Sequence, residues 1–564
     1  MRRTGGAFRD DAARIAGRAV RSLSVLGGRM RRRAAVLCGA ALVVAGSVTA
    51  APADARTARS AATAPAAGVA WKKCGTTDRP TLQCGTVRVP LDRRDPSGRQ
   101  ISLALTRIPH TARTSQGPLL VNPGGPGGSG LSLAGFVASS LPEAVAAQYD
   151  VIGFDPRGVG ESGPALDCAP GHFKAVRPDS VPATPALEQA GLARVRSFAD
   201  ACARKYASVL PHIDTVDAAR DMDAVREALG APRLSYFGYS YGTYLGAVYA
   251  KLYPHRVRRL VLDSIVDPAG VWYEDNLRQD VAFDARHRAF LAWVARNDAA
   301  YGLGTDPAAV EAKWYAMRAA LAREPAGGKV GASELEDTFM PGGYYNGYWP
   351  LLAQAFAAYA RDGKSDALVA AYDDLGAVDA SGDNGYSVYT AVQCRDAAWP
   401  RDWRQWRADT WAVHDKAPFM AWNNAWYNAP CAFWPVPAER PVDIANDALP
   451  PVLLFQATDD AATPYEGGVR VHRMLAGSRL VVEEGGGNHG ITLSGNACLD
   501  GQLAAYLRDG TVPRARGGAV ADAVCPRTPD PKPLSGKAAA AVPAHGTGGA
   551  RGAAALHDLV RFRG

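Results

Sequence analysis

One pentapeptide in the sequence suggests covalent chemistry by its setting between a strand and a helix: Gly238-Tyr239-Ser240-Tyr241-Gly242. It follows an apolar, strand-like run at 234–237 and precedes a small-residue stretch at 243–252 that reads as a helix. A serine on a sharp strand-to-helix turn is a nucleophile elbow. Small residues two positions either side let the chain turn, and the backbone N–H that follows the serine, on Tyr241, points where an oxyanion would form. A second signal is Asn122-Pro123-Gly124-Gly125-Pro126-Gly127-Gly128-Ser129-Gly130, at the end of an apolar run at 118–122. Glycines there let backbone N–H groups approach a carbonyl oxygen, so either Gly124 or Gly125 is expected to give the second oxyanion donor. The run lacks the Gly-Lys-Ser/Thr ending of a phosphate loop and an acid at dinucleotide-binding spacing.

A serine nucleophile needs a histidine base, and the base needs a carboxylate to orient it. Where the serine sits on such an elbow, the chain order is serine, acid, histidine. Of the ten histidines, four follow the apolar run at 452–457: His472, His489, His545 and His557. His545 and His557 lie in an Ala/Gly/Pro-rich tail, and His472 in a helical pattern at 467–475. His489 stands in Gly485-Gly486-Gly487-Asn488-His489-Gly490, directly after the last strand-like run, and is the expected base. The acid belongs to the turn Ala457-Thr458-Asp459-Asp460-Ala461-Ala462-Thr463-Pro464, where spacing leaves Asp459 and Asp460 both open.

These residues need a scaffold that brings the ends of separate strands together. The runs at 87–91 and 101–108, joined across Asp95-Pro96-Ser97-Gly98, predict an antiparallel hairpin. Apolar runs at 118–122, 151–155, 234–238, 259–265, 452–457 and 480–484 alternate with helical patterns, which predicts a mostly parallel sheet buried on both faces, an α/β fold. A helix is predicted over 215–229 with Gly230 as its stop. The long gap at 269–447 is rich in Trp and Tyr and helical in pattern. It reads as a cap inserted over the carboxyl edge of the sheet, dividing the core into 70–268 and 448–528; an independent domain on linkers is the alternative.

Taken together, Gly124-Gly125-Pro126-Gly127-Gly128-Ser129-Gly130, Asp155-Pro156-Arg157-Gly158-Val159-Gly160-Glu161-Ser162 and the Ser240 pentapeptide resemble the α/β-hydrolase peptidases of the proline iminopeptidase and tripeptidyl aminopeptidase family (S33-type). Val89-Pro90-Leu91-Asp92, Asp460 with Thr463-Pro464, Asn488-His489-Gly490 and Cys498 are similar to its secreted bacterial tripeptidyl aminopeptidase branch. The resemblance spans roughly 70–528. It implies the α/β-hydrolase fold with a large, mainly helical cap, and it favours Asp460 as the acid. It also implies that Asp155 and Arg157 brace the site rather than react. Two positions depart from the pattern: Ala457, where glycine is common, and Pro123, where histidine is common before the glycines.

Composition narrows the partners. The chain has 564 residues, 47% hydrophobic and 21% charged, which excludes wholesale disorder. Its net charge of +8 is concentrated in residues 1–55, whose ten arginines oppose three aspartates; the body is nearly neutral, so no nucleic-acid footprint is expected. Residues 1–55 read as a leader: Arg31-Arg32-Arg33, an apolar stretch at 34–50 and small-residue cleavage candidates make a signal peptide, with Met30 the expected true start and the export route, general or twin-arginine, left open. Residues 56–69 read as a flexible or pro-segment, and 529–564 as a disordered tail. Once Cys38 leaves with the signal, eight cysteines remain, an even set suited to an oxidising compartment. Neighbours in sequence suggest Cys74 with Cys84, Cys168 with Cys202, Cys394 with Cys431, and Cys498 with Cys525, among the many pairings open to eight cysteines. No CxxC or HxxxH spacing offers a metal site, and no cofactor is expected.

The expected product is therefore a secreted serine hydrolase with no stable membrane association after cleavage. An exopeptidase acting at a free N-terminus, releasing tripeptides or similar short peptides, needs a carboxylate for the substrate's α-ammonium, because an unpaired buried charge is costly. Glu274 and Asp396 are the leading cap candidates, with Glu334, Glu336 and Asp337 behind them. A secreted esterase or amidase on small hydrophobic substrates would use the same triad, and an inert binding protein is the third reading.

Overall fold

The computed structural model describes residues 68–77 and 79–534. The leader with Met30, residues 56–67 and residues 535–564 lie outside the described residues.

Ten strands form one sheet: β1 Lys72–Lys73, β2 Gln83–Pro90, β3 Gln100–Ile108, β4 Gly117–Asn122, β5 Tyr149–Phe154, β6 Leu234–Tyr239, β7 Val257–Asp263, β8 Val452–Ala457, β9 Arg479–Glu484 and β10 Ala523–Pro526. Their order is β1-β2-β3-β5-β4-β6-β7-β8-β9-β10. β1, β2, β3 and β5 pair antiparallel; from β5 onward every pair is parallel. The predicted hairpin is β2–β3, and the six buried runs are β4 to β9. Two strands went unpredicted. β1 has only two residues, both exposed lysines, and β10 ends in proline, so neither carries a buried apolar run.

Alternation along the strands divides the core. Leu119 and Val121 of β4 join Leu453 and Phe455 of β8 on one face, against helices Leu131–Ser140 and Ala497–Asp509. Leu120 and Leu454 point to the other face, against helices Thr215–Ala228, Tyr241–Leu252 and Tyr465–Met474. This is the period-two geometry of a sheet covered on both sides.

Between β7 and β8 the chain is helical, from Tyr273–Arg296 to the short turn at Ala429–Phe433. It has its own apolar cluster, around Trp314, Trp349 and Phe356, and Ala461 and Ala462 of the turn after β8 belong to that cluster. The helical stretch and the sheet thus share packing rather than standing apart. Residues 529–534, expected to begin the tail, lie against helix Tyr273–Arg296. Trp293 Nε1 donates to the Pro531 carbonyl at 3.1 Å, and Arg296 pairs with Asp530 at 3.4 Å. All four expected disulfides form. Among the described residues, no helix is long and apolar enough to cross a membrane.

Candidate active site

Ser240 stands between β6 and helix Tyr241–Leu252 with φ 56° and ψ −129°, a strained conformation that lifts the side chain off the strand end. Close approach explains the flanking glycine: a Cβ on Gly238 would lie 2.4 Å from the Gly242 carbonyl oxygen. Tyr241 opens the helix, so its N–H has no intrahelical acceptor.

The glycine-rich loop after β4 lies directly over this turn. Gly124 has φ +101°, and a Cβ there would sit 2.7 Å from the Tyr239 carbonyl and 2.8 Å from Ser240 Cβ. Its N–H, however, donates to Asn122 Oδ1 at 3.0 Å. Gly124 is thereby corrected from oxyanion donor to spacer, and Gly125, which lines the cavity beside Ser240 and Tyr241, remains the candidate. Asp155 braces the loop, accepting from Ser129 Oγ at 2.6 Å and Gly130 N at 3.1 Å. Arg157 is buried against Asp221, with Nε and Nη2 bonds of 2.7 and 2.8 Å.

His489 and Asp460 meet at the ends of β9 and β8. Nδ1 of His489 lies 3.0 and 2.9 Å from the two Asp460 oxygens, and both side chains are fully buried. Asp460 also accepts from Ala462 N, Thr463 N and Thr463 Oγ1 at 2.9–3.0 Å, which fixes its carboxylate. Nε2 of His489 is buried and makes no hydrogen bond in this structure. It is the nitrogen left to exchange a proton with the Ser240 hydroxyl. Asp459, the alternative acid, is exposed. His472 bonds Ser478 Oγ at 2.8 Å and lies 3.5 Å from Asp522, far from a catalytic role.

The His489 turn is held from two sides. From the helical stretch, the His489 N–H donates to the Tyr344 carbonyl at 2.8 Å, and the Asn346 N–H donates to Asn488 Oδ1 at 3.0 Å. The Tyr344 ring meets the imidazole edge-on at 5.3 Å. From the core, the amides of Gly490, Ile491 and Thr492 bond Ser264 Oγ and the carboxylate of Asp263. Asp263 is buried, which pushes its carboxyl up to about 6, while its hydrogen bonds from Ile491 and Thr492 oppose that shift.

A model of the alpha/beta hydrolase fold family matches residues 117–493, which include all these elements. The chain belongs to this family. Among curated relatives, the tripeptidyl aminopeptidase of Streptomyces coelicolor is 45% identical over 84% of this chain and 88% of the relative. Serine protease Hip1 of Mycobacterium tuberculosis is 33% identical over 85% and 95% of the two chains. A Mycobacterium tuberculosis protein named carboxylesterase B is 34% identical over 78% and 88%.

In this hydrolase a cavity of about 710 Å³ opens between the sheet edge and the inserted helices. Ser240, Gly125 and Tyr241 form its floor, while Trp272, Tyr344 and Tyr389 contribute aromatic wall. Both leading amine candidates miss it. Glu274 is mostly exposed and lies 3.5 Å from Arg278. Asp396 is buried, accepting from Thr215 N at 2.8 Å and Thr215 Oγ1 at 2.6 Å; burial and the neighbouring Asp214 push its carboxyl up to about 7. Glu334 and Asp337 are bound by Arg177, and Glu336 by Arg318 at 2.7 Å. The carboxylates that do line the cavity include Asp267 and Asp275. Asp275 neighbours Glu274 on helix Tyr273–Arg296, and one residue turns a helix by about 100°. The acidic pair at 274–275 was the readable signal; its phase was not.

Proposed function

We propose that this hydrolase is a secreted serine exopeptidase that cleaves peptides and proteins near a free N-terminus and releases tripeptides or similar short peptides through a Ser240 acyl-enzyme. The observation that carries this reading is the shared cavity: Ser240 lies on its floor, and Asp267 and Asp275 are in its wall. A cleft that holds both a nucleophile and acidic groups suits a cationic chain end. The names of the tripeptidyl aminopeptidase relatives support the peptide length. The four disulfides support an oxidising, extracellular setting.

The test is a chromogenic anilide series one to four residues long, each with a free and an N-acetylated amine. Turnover should peak at three residues and collapse on acetylation. Equal cleavage of both forms would overturn the exopeptidase reading. The aromatic wall and the relative named carboxylesterase B favour one second reading, an esterase on hydrophobic acyl groups. That reading requires rapid hydrolysis of acyl esters with no activity on the anilides.

A further inference from the structure

We propose that Asp263 is a positioning residue that ties the nucleophile and the base into one frame; this rests on the acyl-transfer reading of Ser240 and His489. Its main-chain carbonyl, at the end of β7, accepts the N–H of Ser240 at 3.0 Å. Its carboxylate accepts from the two residues that follow Gly490: Ile491 N at 3.1 Å, Thr492 N at 2.8 Å and Thr492 Oγ1 at 2.5 Å. Ser264, the next residue, takes the Gly490 N–H on its hydroxyl at 2.7 Å. Three successive amides after His489 therefore end on two adjacent side chains, and one of those residues holds the nucleophile's own amide.

Several features argue against a passive role. Asp263 is fully buried, and no arginine or lysine forms an ion pair with it among the described residues. A buried carboxylate without such a partner is costly, so its hydrogen bonds must offset its desolvation. Ser264 occupies φ +60°, unusual for a non-glycine residue, and its hydroxyl accepts the Gly490 N–H. The triad acid is elsewhere: among the described residues, Asp460 makes the only carboxylate contact to the imidazole. Asp263 touches neither imidazole nor serine hydroxyl, and acts through the backbone that carries each.

The distance between Ser240 and Nε2 of His489 should then depend on the Asp263 carboxylate. Asp263→Asn keeps the shape but places an amide N–H against the Ile491 amide in either orientation, because that amide faces both carboxylate oxygens. With the intact protein and a free-amino tripeptide anilide, kcat should fall roughly tenfold to a hundredfold, the scale of a misplacement near 1 Å, while KM stays unchanged. The rate of fluorophosphonate labelling of Ser240 should fall in the same proportion, per active site titrated. Ser264→Gly, which suits the left-handed backbone but removes the hydroxyl, should show a smaller loss of the same kind. It decides the matter if Asp263→Asn does not fold. A folded Asp263→Asn with unchanged kcat and labelling rate overturns the proposal, as does a loss confined to KM or to the fraction of active sites. Wild-type protein that fails to label would overturn instead the acyl-transfer reading beneath it.

Discussion

Asp267 and Asp275 share one guanidinium: Nη1 of Arg278 lies 2.8 Å from Asp267 Oδ2 and 3.2 Å from Asp275 Oδ1. Asp267 has a second cation, Arg470 Nε at 2.8 Å. Asp275 does not, and its Oδ2 is buried without a hydrogen bond. Burial, followed by the charge of Asp267, pushes the Asp275 carboxyl up to about 8. Of the two, Asp275 has more to gain from an incoming ammonium.

Asp275→Asn should therefore lower kcat/KM for free-amino peptides by roughly two to four decades, the scale of a broken buried charge pair. N-acetylated peptides, already poor, should change little. Glu274→Gln, on the exposed side of the same helix, should be close to wild type. Equal losses on both substrate forms would remove Asp275 from amine recognition.

Ser240→Ala and His489→Ala should each cut kcat by about six orders of magnitude, and Asp460→Asn by about four, without unfolding the protein. The double variants should be no slower than the worst single, because the three act as a unit. Asp459→Asn should remain near wild type, since its side chain is exposed while Asp460 holds the imidazole. A dead Asp459→Asn beside an active Asp460→Asn would reverse this assignment.

Gly124→Ala tests the loop over the nucleophile. The added methyl meets backbone at 2.7 Å, and φ +101° is unsuited to alanine. We expect kcat and fluorophosphonate labelling to fall by about 10²-fold, because the strain is relieved at the Ser240 turn. Near-normal labelling would mean that the loop moves away without catalytic consequence.

Asp396 makes a prediction about stability. Its carboxyl is held up at about 7, with burial the main cause, against about 3.9 in an unfolded chain. The folded state then keeps a proton that the unfolded state has lost between about pH 4 and pH 7. Stability from this group therefore falls as pH rises through that window, at up to about 1.4 kcal/mol per pH unit. Asp396→Asn imitates the protonated carboxyl and can still bond Thr215. Thermal unfolding should find the variant more stable than wild type at pH 8 and similar near pH 4. A difference of the opposite sign would show that the ionised carboxylate is the stabilising form.

Much of this site was legible because strand, turn and helix leave separate marks in the sequence. Ser240 follows β6, Asp460 follows β8 and His489 follows β9, each announced by an apolar run ending in small or polar residues. The choice between Asp459 and Asp460 needed the family resemblance, since both fit the turn and only burial separates them. The amine candidates failed for two physical reasons. Glu274 and Asp275 differ by helix phase, which the packing of Tyr273–Arg296 decides. Asp396 sits two residues from Cys394, and the disulfide to Cys431 does fix that helix end, but with Asp396 turned inward onto Thr215. Asp263 gave no signal as a positioning residue, because its partners are main-chain amides more than 200 residues away.

The grip of Tyr344 and Asn346 on the His489 turn has a pharmacological consequence. Both contacts use main-chain groups of the inserted stretch, so the general base is seated in part by a seam between that stretch and the core. A molecule that wedges this seam apart would silence the enzyme without covering Ser240. Because Tyr344 and Asn346 contribute a carbonyl and an amide, substituting either side chain would leave its hydrogen bond in place.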